Sequence, residues 1–260
     1  MEEATKSLRM RTVLTTMLAA ATAVGCTRLI LGDRADFSVA SVEIPTVGLL
    51  PVVIVFGLLT GCLGALYNRT VLWFLDTIAA WRGVPRPVTA ATVGALIGLV
   101  MFIDPNMVGD GDEVSQLILG GHSFVLPALI GLLVVRFIAG PLCYAAAAPG
   151  GLFAPLLAIG AMWGVLCTSA IAVISPFDVA DLAIPMAVVG MGAFFGAVVR
   201  APLTGIVIVI EMTAATWAAV PLLAATAAAV LVAELLKSPP IYDSLRERMS
   251  TEPGRPAGSG

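Results

Sequence analysis

The 260-residue sequence predicts an all-α, polytopic membrane helix bundle containing discontinuous, tilted helices, and three observations lead there. Hydrophobic residues make up 59% of the chain and charged residues 12%, whereas a soluble domain carries about 25% charged residues; the mean hydropathy is +1.00. No charged residue lies between Arg136 and Asp178, Asp181 and Arg200, Arg200 and Glu211, or Glu211 and Glu234, and about 20 apolar residues suffice to cross a bilayer. Several apolar runs are also too short, or too broken by Gly and Pro, to be plain spans. Channels and transporters use such interrupted helices to line sites at mid-membrane depth.

The first apolar run, Thr12 to Leu31, follows Lys6, Arg9 and Arg11. Its Ala23-Val24-Gly25-Cys26 imitates a lipoprotein-type leader, but the apolar character continues past Cys26, and Glu2 and Glu3 are foreign to a basic leader, so it reads as a membrane helix. Further helices are expected over Val47 to Ile78, Val88 to Ile103, Val125 to Ala148 with an interruption at Arg136, Gly151 to Ser175, Leu182 to Val199, Pro202 to Met212 and Trp217 to Leu236. A short amphipathic helix should run from Ile241 to Met249. Residues 1–249 thus form one predicted transmembrane domain, followed by a disordered polar tail over residues 250–260.

Glycines recur at four-residue spacing: Gly57 and Gly61, Gly94 and Gly98, Gly160 and Gly164, Gly192 and Gly196. The G-x-x-x-G pattern lets helix backbones approach closely, so these are read as packing residues. Basic residues at the N-terminus, from Arg82 to Arg86, and at Lys237, Arg246 and Arg248 place those ends in the cytoplasm by the positive-inside tendency, with Asp110, Asp112 and Glu113 in an outward-facing loop. The net charge of -3 and this distribution exclude a nucleic-acid stripe. Cys26, Cys62, Cys143 and Cys167 form no C-x-x-C pair, and no metal or cofactor is predicted. Arg136 and Arg200 read as helix-end or snorkelling charges, and His122 as a loop residue.

Pro149-Gly150-Gly151-Leu152-Phe153-Ala154-Pro155 heads an uncharged apolar stretch, with Pro155 where a first helical turn would tolerate it. The first N–H groups of a helix have no partner within it, and the macrodipole adds roughly half a positive charge there. An anion satisfies them. The glycines let a backbone approach an ion closely, and partial charges hold it weakly enough to let it leave. On these residues alone, a Gly-Gly turn between two packed helices remains an equal alternative.

The segment Ala148 to Pro155 resembles the G-x-F-x-P signature of the CLC family of chloride channels and chloride/proton antiporters. A later block, Gly190-Met191-Gly192-Ala193 through Arg200-Ala201-Pro202-Leu203-Thr204-Gly205 to Glu211-Met212-Thr213, closely resembles that family's G-M-G-A…R-A-P-L-T-G…E-M-T block. The resemblance implies chloride transport in a multi-pass membrane protein, in the plasma or inner membrane of a prokaryote. It implies bound chloride at the backbone N–H groups around Gly151, Leu152, Phe153 and Ala154 and at the hydroxyl of Tyr242. It also implies a proton-transfer role for Glu3 of the Glu2-Glu3 pair, a buried hydrogen-bonding role for Glu211, and a homodimer in which Pro202 to Leu236 and Thr12 to Leu31 meet.

Two further family motifs, G-S-G-x-P and G-[KR]-E-G-P, are not found in this sequence. The chain therefore resembles the second of two inverted repeats, and alone it is expected not to transport; a separate first-half chain is an expected partner alongside chloride, protons and lipid. Two other classes stay open. One is a non-transporting membrane scaffold. The other is an intramembrane aspartyl protease, suggested by Gly109-Asp110-Gly111-Asp112 and Tyr242-Asp243, although those acids cluster in a polar segment. No other enzyme fingerprint is present.

Overall fold

The computed structural model describes residues 10–32, 35–41, 47–81, 83–146, 151–174 and 180–251. Contacts divide the chain into two units, Met1–Asp36 and Phe37–Gly260. The first holds a single described helix, α1 (Met10–Leu31). None of its Val13–Ile30 window is buried, and Thr22 and Thr27 donate their hydroxyls back to the carbonyls of Leu18 and Ala23 at 2.8 and 3.0 Å. The side-chain polarity is thereby satisfied within the helix, as an apolar surrounding demands. The helix runs through Cys26 unbroken and ends where Gly32 adopts a φ of 90°.

The second unit contains α2 (Leu50–Ala79), α3 (Arg86–Ile103), α4 (Asp112–Leu119), α5 (Leu126–Ala145), α6 (Phe153–Ile174), α7 (Ala183–Val199), α8 (Pro202–Thr213), α9 (Ala219–Leu235) and α10 (Ile241–Thr251). Proline opens α2, α3, α5 and α8, where its missing N–H belongs to a group with no helical partner anyway. Among the described residues five helical segments are long and apolar enough to cross a membrane: Val13–Ile30, Leu50–Ala79, Leu126–Ala145, Phe153–Val173 and Thr216–Leu235. The helices α3, α7 and α8 of the second unit are apolar but shorter.

The centre of the bundle is α7. Every residue from Pro185 to Val199 is buried, so this helix is apolar all round and packs against α6, α9, α8 and α2. Glycine makes those approaches possible. Gly160 of α6 and Gly190 of α7 sit against each other's backbone, and Gly164 meets the backbone of Met186. Gly57 and Gly61 of α2 meet Ala225 and Ala229 of α9, while Gly192 and Gly196 meet Leu222 and Thr226. Three of the four expected glycine pairs therefore pack. Gly94 and Gly98 of α3 do not, because a Cβ on either would meet nothing within 4 Å.

Three other expectations change. The outward acidic loop contains a helix, α4, which buries Val114, Ser115, Ile118 and Leu119 and carries Asp112 and Glu113 in its first turn, where the macrodipole favours acids. Arg136 neither interrupts α5 nor snorkels; it is 5% exposed inside a continuous helix. Glu211 occupies an exposed position on α8 instead of a buried one. The polar tail beyond Thr251 and the Pro149-Gly150 pair lie outside the described residues.

Arg136 can be buried because each of its three nitrogens has a carbonyl partner. Its Nε donates to the Asn106 carbonyl at 3.1 Å and its Nη2 to the carbonyls of Asn106 and Val108 at 2.6 and 3.1 Å. Its Nη1 donates to the Gly109 carbonyl at 3.2 Å. A rigid fork of donors thus caps three carbonyls of the segment between α3 and α4, a short 3-10 turn over Pro105–Met107 and the residues after it, which would otherwise lie unsatisfied in an apolar setting. Residues 37–40 are strapped down in a similar way: Gln116 of α4 accepts from the Ser38 N–H and donates to the Ser38 carbonyl. The Phe37 and Ala40 N–H groups donate to the carbonyls of Met212 and Leu119.

Candidate anion site

The first hydrogen bond of α6 runs from the Leu156 N–H to the Leu152 carbonyl at 3.1 Å. The N–H groups of Leu152, Phe153 and Ala154 precede that ladder, and Pro155, third in the helix, has none to offer. Three donors are thereby concentrated at one helix end, where the dipole contributes roughly half a positive charge. The flanking sequence carries no ionised side chain between Arg136 and Asp178. Chemically such a helix end suits an anion without supplying a formal cation.

The side chains around the donors are ordered by packing. Leu152 is 4% exposed, and the Phe153 ring stands edge-on to Phe195 of α7 with centroids 5.4 Å apart. Gly151 is exposed, and a Cβ there would meet no atom within 4 Å. Neither its neighbours nor a positive φ require glycine at this position.

Tyr242 is the second residue of α10, next to the fully buried Ile241. Ile241 and Leu245 join the core cluster that contains Leu152 and Leu156, and Phe153 and Tyr144 pack against the same cluster. The start of α10 and the start of α6 are therefore parts of one apolar assembly. Tyr242 as a residue keeps 38% of its surface exposed. Burial, and then the neighbouring Tyr144, push its phenol above the ordinary tyrosine value, so it remains a neutral O–H donor. Tyr144 at the end of α5 escaped the sequence reading, because nothing in its local sequence sets it apart from an interfacial aromatic.

Glu3 lies outside the described residues. Asp110 serves the turn before α4, its carboxylate accepting the Asp112 N–H at 3.3 Å, and His122 is an exposed loop residue edge-on to Phe124.

Residues 1–234 match the family model described as voltage gated chloride channel. The chain is 33% identical over 224 residues to the H(+)/Cl(-) exchange transporter ClcA of Vibrio campbellii, covering 85% of this chain and 47% of that protein. It thus spans about half the length of the curated relatives it matches. Among solved structures, a slow cyanobacterial Cl-/H+ antiporter superposes with a TM-score of 0.78 at 31% identity, covering 88% of this chain and 53% of the other. A eukaryotic CLC transporter superposes with a TM-score of 0.64 at 25% identity, covering 78% and 35%.

Proposed function

The chain belongs to the voltage-gated chloride channel family and is a multi-pass membrane protein, and from that premise we propose that it forms one wall of a chloride pathway. The observation that carries the reading is the helix start of α6, with three N–H donors ahead of its ladder and no cation in its flanks. Chloride is held there by Leu152, Phe153 and Ala154, in the space in front of Gly151, with the Tyr242 hydroxyl as a further donor. Proton-coupled exchange, with Glu3 passing protons on the cytoplasmic side, is the form of transport favoured, because relatives bear the name of H(+)/Cl(-) exchange transporters. The working unit is a homodimer, and the opposing wall comes from residues carrying the G-S-G-x-P and G-[KR]-E-G-P motifs. Neither motif is found in these 260 residues.

The test is chloride binding to the purified chain in detergent by calorimetry. Tyr242→Phe removes one donor, and Gly151→Val fills the space in front of the backbone donors; both are expected to weaken binding. Unchanged binding in both variants refutes the anion site and leaves a scaffold. In liposomes the 260-residue chain alone is expected to give no chloride efflux, and robust efflux would overturn the one-wall reading.

A further inference from the structure

A polar cluster lies at the junction of α2, α7 and the link between α9 and α10. Asn68 of α2 is completely buried. The two hydrogens of its Nδ2 are directed to the Val198 carbonyl at 3.1 Å and the Pro239 carbonyl at 3.0 Å, with the Ser238 hydroxyl a more distant neighbour at 3.4 Å. Arg200 ends α7 with a φ of 66°, a left-handed conformation unusual for a residue with a side chain. From there its Nη2 donates to the Ser238 carbonyl at 2.8 Å and its Nη1 to the Val230 carbonyl at 3.4 Å. The Ser238 N–H donates to the Ala233 carbonyl at 3.1 Å.

Consecutive carbonyls of the link, those of Ser238 and Pro239, are therefore gripped by side chains from two different helices. The two residues that follow the grip are Pro240, whose ring fixes φ, and the fully buried Ile241. The next residue is Tyr242. Pro240 itself accepts the Ser244 N–H at 3.1 Å, so α10 starts directly from the clamped segment. Little rotational freedom separates the grip from the phenol.

We propose that Asn68 and Arg200 are positioning residues for Tyr242, fixing the Ser238 and Pro239 carbonyls and so setting where the Tyr242 hydroxyl points. The functional consequence rests on reading Tyr242 as a chloride ligand; the clamp itself does not. A buried amide donor is suited to this task because it holds two backbone acceptors without placing a charge near the anion. The Arg200 fork reaches the same link from the opposite helix. Neither residue touches the anion.

The chain has three tyrosines, Tyr67, Tyr144 and Tyr242, so labelling with 3-fluorotyrosine gives three 19F resonances, assignable by Tyr→Phe replacement. In the full chain in detergent, Asn68→Ala and Arg200→Lys are each expected to shift or broaden the Tyr242 resonance. Both are expected to weaken chloride binding by roughly threefold or more, and Asn68→Ala is expected to add nothing in a Tyr242→Phe background. A Tyr242 resonance unmoved by both variants overturns the proposal, as does a further loss of chloride affinity in the Tyr242→Phe background. Pro239→Ala keeps the carbonyl and the grip while freeing the backbone. The clamp predicts an unmoved Tyr242 resonance in that variant, and a moved one assigns the positioning to proline stiffness instead. Should chloride leave all resonances of the wild-type chain unmoved while Asn68→Ala still moves Tyr242, the chloride reading fails and the clamp stands.

Discussion

Replacing Gly190 by alanine tests whether the close crossing of α6 and α7 holds the bundle together. The added methyl would meet the Gly160 carbonyl oxygen, the Gly160 carbonyl carbon at 3.1 Å and the Phe56 ring at 3.3 Å. Two of those three contacts are backbone, so no rotamer change relieves them. The helices cannot slide apart locally either, because Gly164 is seated on the Met186 backbone one turn away. Overpacking of this kind costs about 1–3 kcal/mol, which at about 2–4 °C per kcal/mol lowers the melting temperature by roughly 2–12 °C. Gly94→Ala is the matched control: its methyl meets nothing within 4 Å, and removing glycine from a helix is favourable by about 0.5–1 kcal/mol. Heating in detergent, followed by tryptophan fluorescence with Trp163 on α6 as a reporter, should place the two variants on opposite sides of the wild type. Equal melting temperatures, or a greater loss in Gly94→Ala, would refute the assignment of the α6–α7 crossing as backbone-limited.

Tyr242→Phe should cost about 1.5–3 kcal/mol of chloride affinity, the range for a hydrogen bond to a charged partner, or roughly 10- to 150-fold by calorimetry. Because the phenol of Tyr242 is raised above its ordinary value by burial and then by Tyr144, its stabilising contribution is complete below the unfolded tyrosine value and is lost as pH rises through the folded one. The difference between the absorbance titrations of the wild type and Tyr242→Phe should show the missing phenol ionising late, and a difference centred at or below the ordinary tyrosine value would contradict this. Arg136→Met leaves the carbonyls of Asn106, Val108 and Gly109 without their donors; cleavage by a protease specific for Asp should accelerate at Asp110 and Asp112. The pair between Arg248 and Asp76, at 2.6 Å, involves side chains 40% and 68% exposed. Arg248→Ala should therefore change stability by less than about 1 kcal/mol, and a melting temperature that falls steeply would show the pair to be worth more than its exposure allows.

The helices were legible where composition alone decides them. Uncharged runs bounded by Pro, Gly and basic residues located α1, α2, α6, α7 and α9 to within a few residues, since a membrane leaves the backbone no alternative to a helix. The start of α6 was legible for the same reason, from the Gly-Gly pair and Pro155. What escaped depends on distant partners. Arg136 reads as a break in an apolar run, because its three carbonyl acceptors lie some 30 residues earlier in a segment without any pattern. The short helix α4 hides behind Asp110, Asp112 and Glu113, whose acids mark a helix N-terminus as well as a loop. Asn68 gives no signal either, since one amide in a 30-residue apolar helix reveals nothing of the Ser238–Pro239 link 170 residues away.

The two kinds of chloride ligand proposed for this chain differ in what fixes them, and that difference bears on how binding strength is set. At 4 Å in a medium of effective dielectric 20, a full cation attracts a chloride by about 4 kcal/mol, and the half charge of a helix end by about 2. The missing 2 kcal/mol corresponds to roughly 30-fold weaker binding, which favours release and hence throughput. The backbone donors of Leu152, Phe153 and Ala154 ride on α6, whose crossing with α7 is backbone against backbone at Gly160 and Gly190. That part of the site has little freedom to adjust without unpacking the core. The Tyr242 hydroxyl instead hangs from a link held by side-chain hydrogen bonds of Asn68 and Arg200. Such bonds are worth about 0.5–1.5 kcal/mol for the Asn68 amide and about 1.5–3 kcal/mol for the charged Arg200, so substitutions there are expected to move the phenol. In the proposed site, affinity is therefore adjustable at the α9–α10 link, whereas the α6 helix start is fixed by the core.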